Sequence, residues 1–193
     1  MASAATTAPT TPTAVSTWTI DPAHSGVEFA VKHMMVSTVK GRFGSFEGKI
    51  QLNEADPASS SVTASVETAS VDTREAQRDA HLLSDDFFGA EQYPKMTFRS
   101  TKVEHVEGDR WQITGDLTIR DATREVVLDT EYEGQIKDVW GKQRAAFNAE
   151  TVLNRKEFGL NWNGLIETGG VVVGDKVRVT LNIAAVRNDP LSS

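Results

Sequence analysis

The sequence predicts an all-β protein of about eight or more antiparallel strands with one short helix. From Trp18 onward, apolar and polar residues alternate with a period of two, which is typical of strands with one buried face. Gly, Asp, Asn and Pro interrupt this alternation at short intervals, as turns do. No strand–helix–strand order occurs, so the pattern favours a closed barrel or a sandwich over a parallel α/β sheet.

The clearest strand is GVEFAVKH, residues 26–33, in which Val27, Phe29 and Val31 share one face. The same alternation predicts further strands in VKGRF, SFEGKIQLN, SSSVTASVETASV, KMTFRSTKV, WQITGDLTIR, TREVVLDTEYEG, KQRAAFNAETVLN and DKVRVTLNIAAV. The last of these places Val177, Val179, Leu181 and Ile183 on one face.

One segment departs from the period of two. TREAQRDAHLLS, residues 73–84, has Ala76, Ala80 and Leu83 at helical spacing and an acidic residue near its start. We therefore expect a short helix here, in which Arg78 and Asp79 form a polar cluster with Asp21 or His24 that ties the helix to a strand.

Length and composition predict one folded domain from residue 17 to residue 187 of the 193-residue chain. The ends, 1–16 and 188–193, are polar and rich in small residues, and we expect both to be disordered. The first residues have neither the basic start nor the apolar stretch of a secretory signal, so the expected location is the cytoplasm, with a periplasmic or secreted location as the alternative if the N-terminus is processed.

The charge and the residue types argue against several classes of function. A net charge of −7, with basic residues scattered among acidic ones, does not suit nucleic acid. There is no apolar run of about twenty residues, so no transmembrane segment is predicted. The chain has no Cys and lacks HxH, HExxH, GxSxG and phosphate-loop patterns, so we predict no metal site, no catalytic residue and no cofactor.

Small residues recur beside bulky ones on the faces predicted to be buried. Gly48 lies between Phe46 and Ile50, and Gly115 lies between Ile113 and Leu117. Such residues let strands bend or a core interdigitate, and their recurrence in several strands also fits a narrow internal slot. A barrel of about eight strands has room for either arrangement.

Seven segments, in order, resemble the successive motifs of the YceI-like family: DPAHSGVEFAVKH, GRFGSFEGKIQL, RDAHLLSDDFF, YPKMTFRS, GDLTIRD, LNRKEFGLNWN and GGVVVGDKVRVTL. The likeness covers nearly all of residues 18–185. It implies an extended, lipocalin-like antiparallel β-barrel that holds a polyisoprenoid, an isoprenoid quinone or a polyprenyl phosphate, in its interior. It also suggests a homodimer, which no residue pattern indicates.

An isoprenoid tail is almost entirely apolar, so it suits a slot lined by the inward faces of the strands. The residues predicted to line this slot are Val27, Phe29, Val31, Phe46, Met96, Phe98, Ile113, Leu117, Phe147, Phe158 and Trp162.

Three polar residues are candidates for contact with a head group. His33 continues the inward parity of its strand, and His81 lies in the predicted helix. Arg155 has the planar guanidinium that suits phosphate. Each also has a structural interpretation, as a hydrogen-bonded closing residue or as a stabiliser of a turn. Phe87 and Phe88 are predicted either to plug the barrel or to pack in an ordinary core.

Three functions are consistent with these patterns. The favoured one is non-catalytic binding, transport or storage of a polyisoprenoid. The second is a lipid-modifying isomerase or hydrolase in which His33, His81 and a carboxylate serve as acid and base. The third is a stress-related interaction protein whose barrel is filled by its own side chains.

Overall fold

The chain forms a single antiparallel sheet of eleven strands and one α-helix in a computed structural model that describes residues 15–165, 167 and 169–188. The strands are β1 (Val15–Ile20), β2 (Gly26–His33), β3 (Ser37–Phe43), β4 (Phe46–Asn53), β5 (Ser61–Glu67), β6 (Val71–Asp72), β7 (Lys95–Glu107), β8 (Arg110–Ile119), β9 (Ala122–Lys137), β10 (Gln143–Asn154) and β11 (Val173–Arg187). The helix α1 spans Ala76–Leu83, within the segment predicted to be helical.

Eight of the strands close into a barrel, which confirms the predicted fold class. The order around the barrel is β1-β4-β5-β7-β8-β9-β10-β11, and β11 pairs with β1 to complete the circuit. Closure satisfies the backbone hydrogen bonds that an open sheet would leave at its edges. The remaining strands continue the sheet from β11 in the order β2-β3-β6.

Two strands, β1 and β2, pair with the same edge of β11. The end of β11 pairs with β1 at Ala185 to Arg187, whereas its earlier part pairs with β2 from Val177 to Asn182. A 3-10 turn at Pro22–His24 separates β1 from β2. The barrel wall therefore passes from the β1–β4 pair to the β2–β3 hairpin at this turn.

The strand register defines two ends of the barrel. The helix end holds α1, the start of β4 and β11 and the last residues of β5, β8 and β10, while the opposite end holds the last residues of β4, β9 and β11.

Small residues let bulky side chains pack directly against the backbone of the sheet. A Cβ atom at Gly115 would lie 2.5 Å from both the Arg99 carbonyl oxygen and the ring of Phe98 on the neighbouring strand. A Cβ at Gly48 would lie 2.5 Å from the Ile20 side chain. These glycines therefore serve close interdigitation, which the sequence offered as one of two explanations.

The helix α1 is tied to a different partner from the one expected. Arg78 donates from Nε to the Thr73 hydroxyl (2.7 Å) and from Nη2 to the Thr73 carbonyl (2.9 Å). Asp79 accepts from the backbone N–H (2.9 Å) and the hydroxyl (2.5 Å) of the same residue. The expected cluster with Asp21 or His24 is wrong, because Thr73 lies nearer in sequence and offers donors and acceptors to both side chains.

Asp21 instead belongs to a charge cluster at the opposite end. Its Oδ2 accepts from Arg144 Nη1 at 2.7 Å and lies 2.8 Å from Nδ1 of His24. The Nε of Arg144 donates to Asp138 at 2.8 Å. The hydrogen bond from Arg144, followed by the one with His24, lowers the pKa of Asp21 from 3.8 to about 2.

This shift predicts a specific acid dependence of stability. Because the carboxylate form is favoured in the folded state, its contribution is present above about pH 4 and is lost as the pH falls through about 2. The side chain is 19% exposed, so after screening by solvent we expect about 1–2 kcal/mol. Asp21→Asn should lower the free energy of unfolding by this amount at pH 7 and flatten its change between pH 4 and 2.

Urea unfolding at pH 2, 4 and 7 measures this effect. Asp56→Asn is the matched control, since Asp56 is exposed and its side chain makes no capping bond. Equal acid sensitivity of Asp21→Asn and the unchanged protein would contradict the assignment.

The predicted domain limits lie close to the ends of the sheet. The first strand begins at Val15, and β11 ends at Arg187. Of the two predicted disordered tails, residues 1–14 and 189–193 lie outside the described residues.

Candidate ligand-binding site

A cavity of about 680 Å³ occupies the barrel interior. On β10 its lining follows the inward parity through Phe147, Ala149, Thr151 and Leu153. These residues span roughly 20 Å at about 3.3 Å per residue. The opposing wall carries the inward residues of β11, so the cavity follows the strands from one end of the barrel towards the other. Its size falls within the range of ligand pockets, about 300–1,000 Å³.

Most of the residues predicted to line a slot border this cavity. They are Val27, Phe29, Val31, Phe46, Met96, Phe98, Ile113, Leu117, Phe147 and Phe158. Trp162 does not border it. Its indole packs outside, with ring centroids 4.7 Å from His81 and 5.5 Å from Phe87.

Aromatic residues close the helix end of the cavity. Phe87 and Phe88 are buried and border the cavity together with Leu82 of α1. The ring of Phe88 meets Phe43 edge-on at 5.7 Å between centroids, and Phe43 contacts Phe29 at 5.6 Å. The two phenylalanines therefore lie where a plug would lie, and they are also part of the main core cluster.

Arg155 borders the cavity, but backbone carbonyl groups engage its guanidinium. Nη1 donates to the carbonyls of Leu160 (2.6 Å) and Trp162 (2.8 Å), Nε to Gly174 (2.9 Å) and Nη2 to Val173 (3.2 Å). The side chain is 4% exposed. Burial lowers the pKa of this guanidinium below its ordinary value. Arg155 thus joins the turn after β10 to the start of β11.

Neither histidine candidate borders the cavity. His33 is the last residue of β2 and pairs in the sheet with Ser37 and Val173, and of these three residues only Val173 borders the cavity. The Nε2 of His81 lies 2.8 Å from Asp86, and its ring packs edge-on against Phe87 from outside. The prediction that His33 faces the slot, because it continues the alternation of Val27, Phe29 and Val31, is therefore wrong at this last residue of β2.

Polar residues that the sequence analysis did not single out border the cavity at the opposite end. Gln135 of β9 donates from Nε2 to Glu54 Oε1 at 3.3 Å, which joins β9 to the loop between β4 and β5. Ser60 and Ser61 border the cavity beside them. Burial raises the pKa of the Tyr132 hydroxyl, so this group stays protonated at neutral pH and is available as a donor.

The charged residues that border the cavity are nearly all acidic. Glu28, Glu47 and Glu54 are exposed residues along its border, and Arg155 is the basic residue among those that line it. Arg187 lies at the opposite end with its guanidinium 5.9 Å from the ring centroid of Trp18, outside the lining. Its Nε is buried without a hydrogen-bond partner among the described residues.

The part of the chain that the structure describes offers neither a metal site nor a membrane-spanning helix. No group of three or more His, Asp or Glu side chains is arranged to hold a metal ion there. None of the helices in that part is long and apolar enough to cross a membrane.

Comparison with known families decides the identity. Residues 18–185 match the YceI-like domain, the span over which the seven motifs occur. The chain belongs to the YceI-like family. A UPF0312 protein of Staphylococcus epidermidis is 39% identical over 159 residues, which are 82% of this chain and 90% of that protein.

Solved structures of other proteins share the barrel. The YCEI protein of Campylobacter jejuni has a TM-score of 0.70 at 30% identity, over 82% of this chain and 90% of that one. A polyisoprenoid binding domain from Saccharophagus degradans has a TM-score of 0.63 at 13% identity, over 90% and 99% of the two chains. At 13% identity, the similarity to the Saccharophagus degradans domain shows a shared fold only.

Proposed function

We propose that this YceI-like protein binds a polyisoprenoid lipid inside its barrel and carries or stores it without changing it chemically. The observation that supports this most is the elongated cavity of about 680 Å³, whose lining is almost entirely apolar. A barrel filled by its own side chains, the third function considered above, would lack this space. The name of the Saccharophagus degradans domain, which shares the fold, supports the choice of ligand class.

The lining alone provides enough affinity for such a ligand. Each buried carbon of a tail contributes about 0.8 kcal/mol. A tail of roughly twenty carbons would contribute about 16 kcal/mol before ordering costs, close to the practical limit of about 18–21 kcal/mol for non-covalent binding. Polar groups at the opposite end are therefore needed for the choice of head group and not for strength.

Acid–base catalysis on the lipid has little support. The enzyme alternative relied on His33 and His81, and neither borders the cavity. His81 is engaged by Asp86 on the outer side of Phe87. The acidic residues at the border have no histidine beside them in the cavity lining.

The charges favour a neutral head group over a phosphate. The exposed charged residue that borders the cavity at the opposite end is Glu54, which would repel an anion, and the guanidinium of Arg155 is engaged by carbonyls. Tyr132, Gln135 and the two serines offer hydrogen bonds that suit a quinone carbonyl or an alcohol. We therefore favour an isoprenoid quinone or alcohol over a polyprenyl phosphate.

Two measurements test this proposal. Mass spectrometry of an organic extract of the purified protein from bacteria should find a stoichiometric isoprenoid, and folded protein that also fails to take up any added isoprenoid would contradict the function. Geranylgeraniol and geranylgeranyl phosphate then form a matched pair with one tail and two heads. We expect the alcohol to bind at least tenfold more tightly, with a smaller difference for Glu54→Gln. Equal or reversed affinities would contradict the choice of head group.

A further inference from the structure

The end of β9 and the turn that follows it display three large apolar side chains to solvent. Ile136 is 68% exposed, Val139 is 89% exposed and Trp140 is 79% exposed. A tryptophan this exposed is unusual on the surface of a monomer, because burial of its large ring away from water is favourable. We call residues 136–142 the Trp140 hairpin.

The hairpin is held rigid rather than loose. Asp138 Oδ1 accepts from the backbone N–H groups of Trp140 (3.0 Å) and Lys142 (2.9 Å), and its Oδ2 accepts from Arg144 Nε (2.8 Å). The backbone N–H of Asp138 also donates to the Lys142 carbonyl at 2.8 Å. Because the turn is fixed, Val139 and Trp140 are kept away from the body of the barrel instead of collapsing onto it.

The hairpin adjoins the polar border of the cavity. Gln135, which borders the cavity, immediately precedes Ile136 on β9. In the sheet, Arg144 is paired with Ile136, and Ala145 with Gln135. Whatever the hairpin contacts is therefore brought next to the end of the cavity where a head group would enter.

The charges of the hairpin indicate the kind of surface that it fits. Lys137 and Lys142 flank Val139 and Trp140, while the carboxylate of Asp138 is paired with Arg144, which it shares with Asp21. Tryptophan between lysines is the composition that favours the interface of a bilayer containing anionic lipids. The local positive charge of the two lysines contrasts with the net charge of −7 of the whole chain. That net charge acts against a nonspecific attraction of the protein to an anionic bilayer.

We propose that the Trp140 hairpin docks on the surface of a phospholipid bilayer, so that the isoprenoid passes between the membrane and the opposite end of the cavity. This inference rests on the proposed function, because a tail that is insoluble in water must be collected from a membrane.

Flotation of the full chain with vesicles of phosphatidylcholine and phosphatidylglycerol tests this docking. The double substitution Val139→Ser with Trp140→Ser should reduce the bound fraction at least fivefold. The double substitution Lys137→Glu with Lys142→Glu should reduce the bound fraction on vesicles that contain phosphatidylglycerol and leave it unchanged on vesicles of phosphatidylcholine alone. The matched control is Met35→Ser with Val36→Ser, two exposed apolar residues in the β2–β3 turn at the helix end. This control should bind as the unchanged chain does.

A second readout separates docking from ligand binding. The rate of quinone transfer from vesicles should fall at least fivefold in the Val139→Ser, Trp140→Ser variant, while its affinity for quinone in detergent stays unchanged. No vesicle binding by the unchanged chain, or equal binding by this variant, would overturn the docking and leave the extract result intact. Loss of affinity in detergent would instead assign the hairpin to the cavity, and conversion of a dimer to a monomer would assign it to contact with a second copy; either result overturns the proposal.

Discussion

Substitution of Ala149 by Trp is expected to abolish retention of an isoprenoid while the barrel stays folded. Ala149 is buried on the inward face of β10, between Phe147 and Thr151, and borders the middle of the cavity. An indole there would occupy the space that we assign to the tail. We expect isoprenoid in the extract to fall below a tenth of that in the unchanged protein.

The cost to folding should be small in comparison. Overpacking of a well-filled core costs about 1–3 kcal/mol, because side chains are forced from their preferred rotamers. Ala149 faces a cavity, so the new ring has room, and its contacts with the apolar lining offset part of this cost. Urea unfolding should therefore detect a change of about 1 kcal/mol or less.

Val152→Trp provides the matched control, since Val152 is exposed on the outer face of the same strand. It adds the same side chain to the same strand, and the extract should contain as much isoprenoid as that of the unchanged protein. If folded Ala149→Trp protein retained the lipid at full stoichiometry, the ligand would not occupy the barrel interior.

The sequence was sufficient to predict the lining on regular strands. A period of two defines which face is buried wherever a strand continues without interruption, as in Val27, Phe29 and Val31. It fails where the strand ends. After Asn154 the chain leaves β10 and forms a 3-10 turn at Arg155–Phe158, so parity no longer predicts orientation, and Trp162 packs outside the cavity.

The polar border could not be predicted in the same way. Glu54 and Gln135 are 81 positions apart and meet because the barrel closes, and the order of strands is not encoded in local periodicity. Between Ala146 and Phe147 the β9–β10 register shifts, opposite a segment in which Gly134 has a φ of 105°. This bulge lets both Tyr132 and Gln135, three residues apart, border the cavity. A glycine within an alternating run was the available signal.

Substitution of Arg155 by Met is expected to lower the free energy of unfolding by about 3 kcal/mol. Four backbone carbonyls accept hydrogen bonds from this side chain; removal of the guanidinium takes this donor from Leu160, Trp162 and Gly174, while the Val173 carbonyl keeps its bond from Asn163 Nδ2. Each group left unsatisfied costs about 1–3 kcal/mol, and part of this cost is relieved when the turn relaxes or water enters. Lysine should rescue little, because one ammonium group cannot reproduce the planar arrangement of donors.

Urea unfolding of Arg155→Met, compared with that of the control Arg178→Met, tests whether Arg155 has a structural or a ligand-binding role. Arg178 is exposed, and its ion pair with Glu150 has an N–O distance of 3.5 Å, so its loss should change stability by about 0.5 kcal/mol or less. A destabilised Arg155→Met protein would identify the residue as a link between the turn after β10 and the start of β11. A variant of unchanged stability with weakened binding of geranylgeranyl phosphate would identify it as a site for an anionic head group. That result would contradict the proposed selection of a neutral ligand, because four of the five guanidinium N–H groups are engaged by carbonyls and Nη2 also lies 3.7 Å from the Asp175 carboxylate.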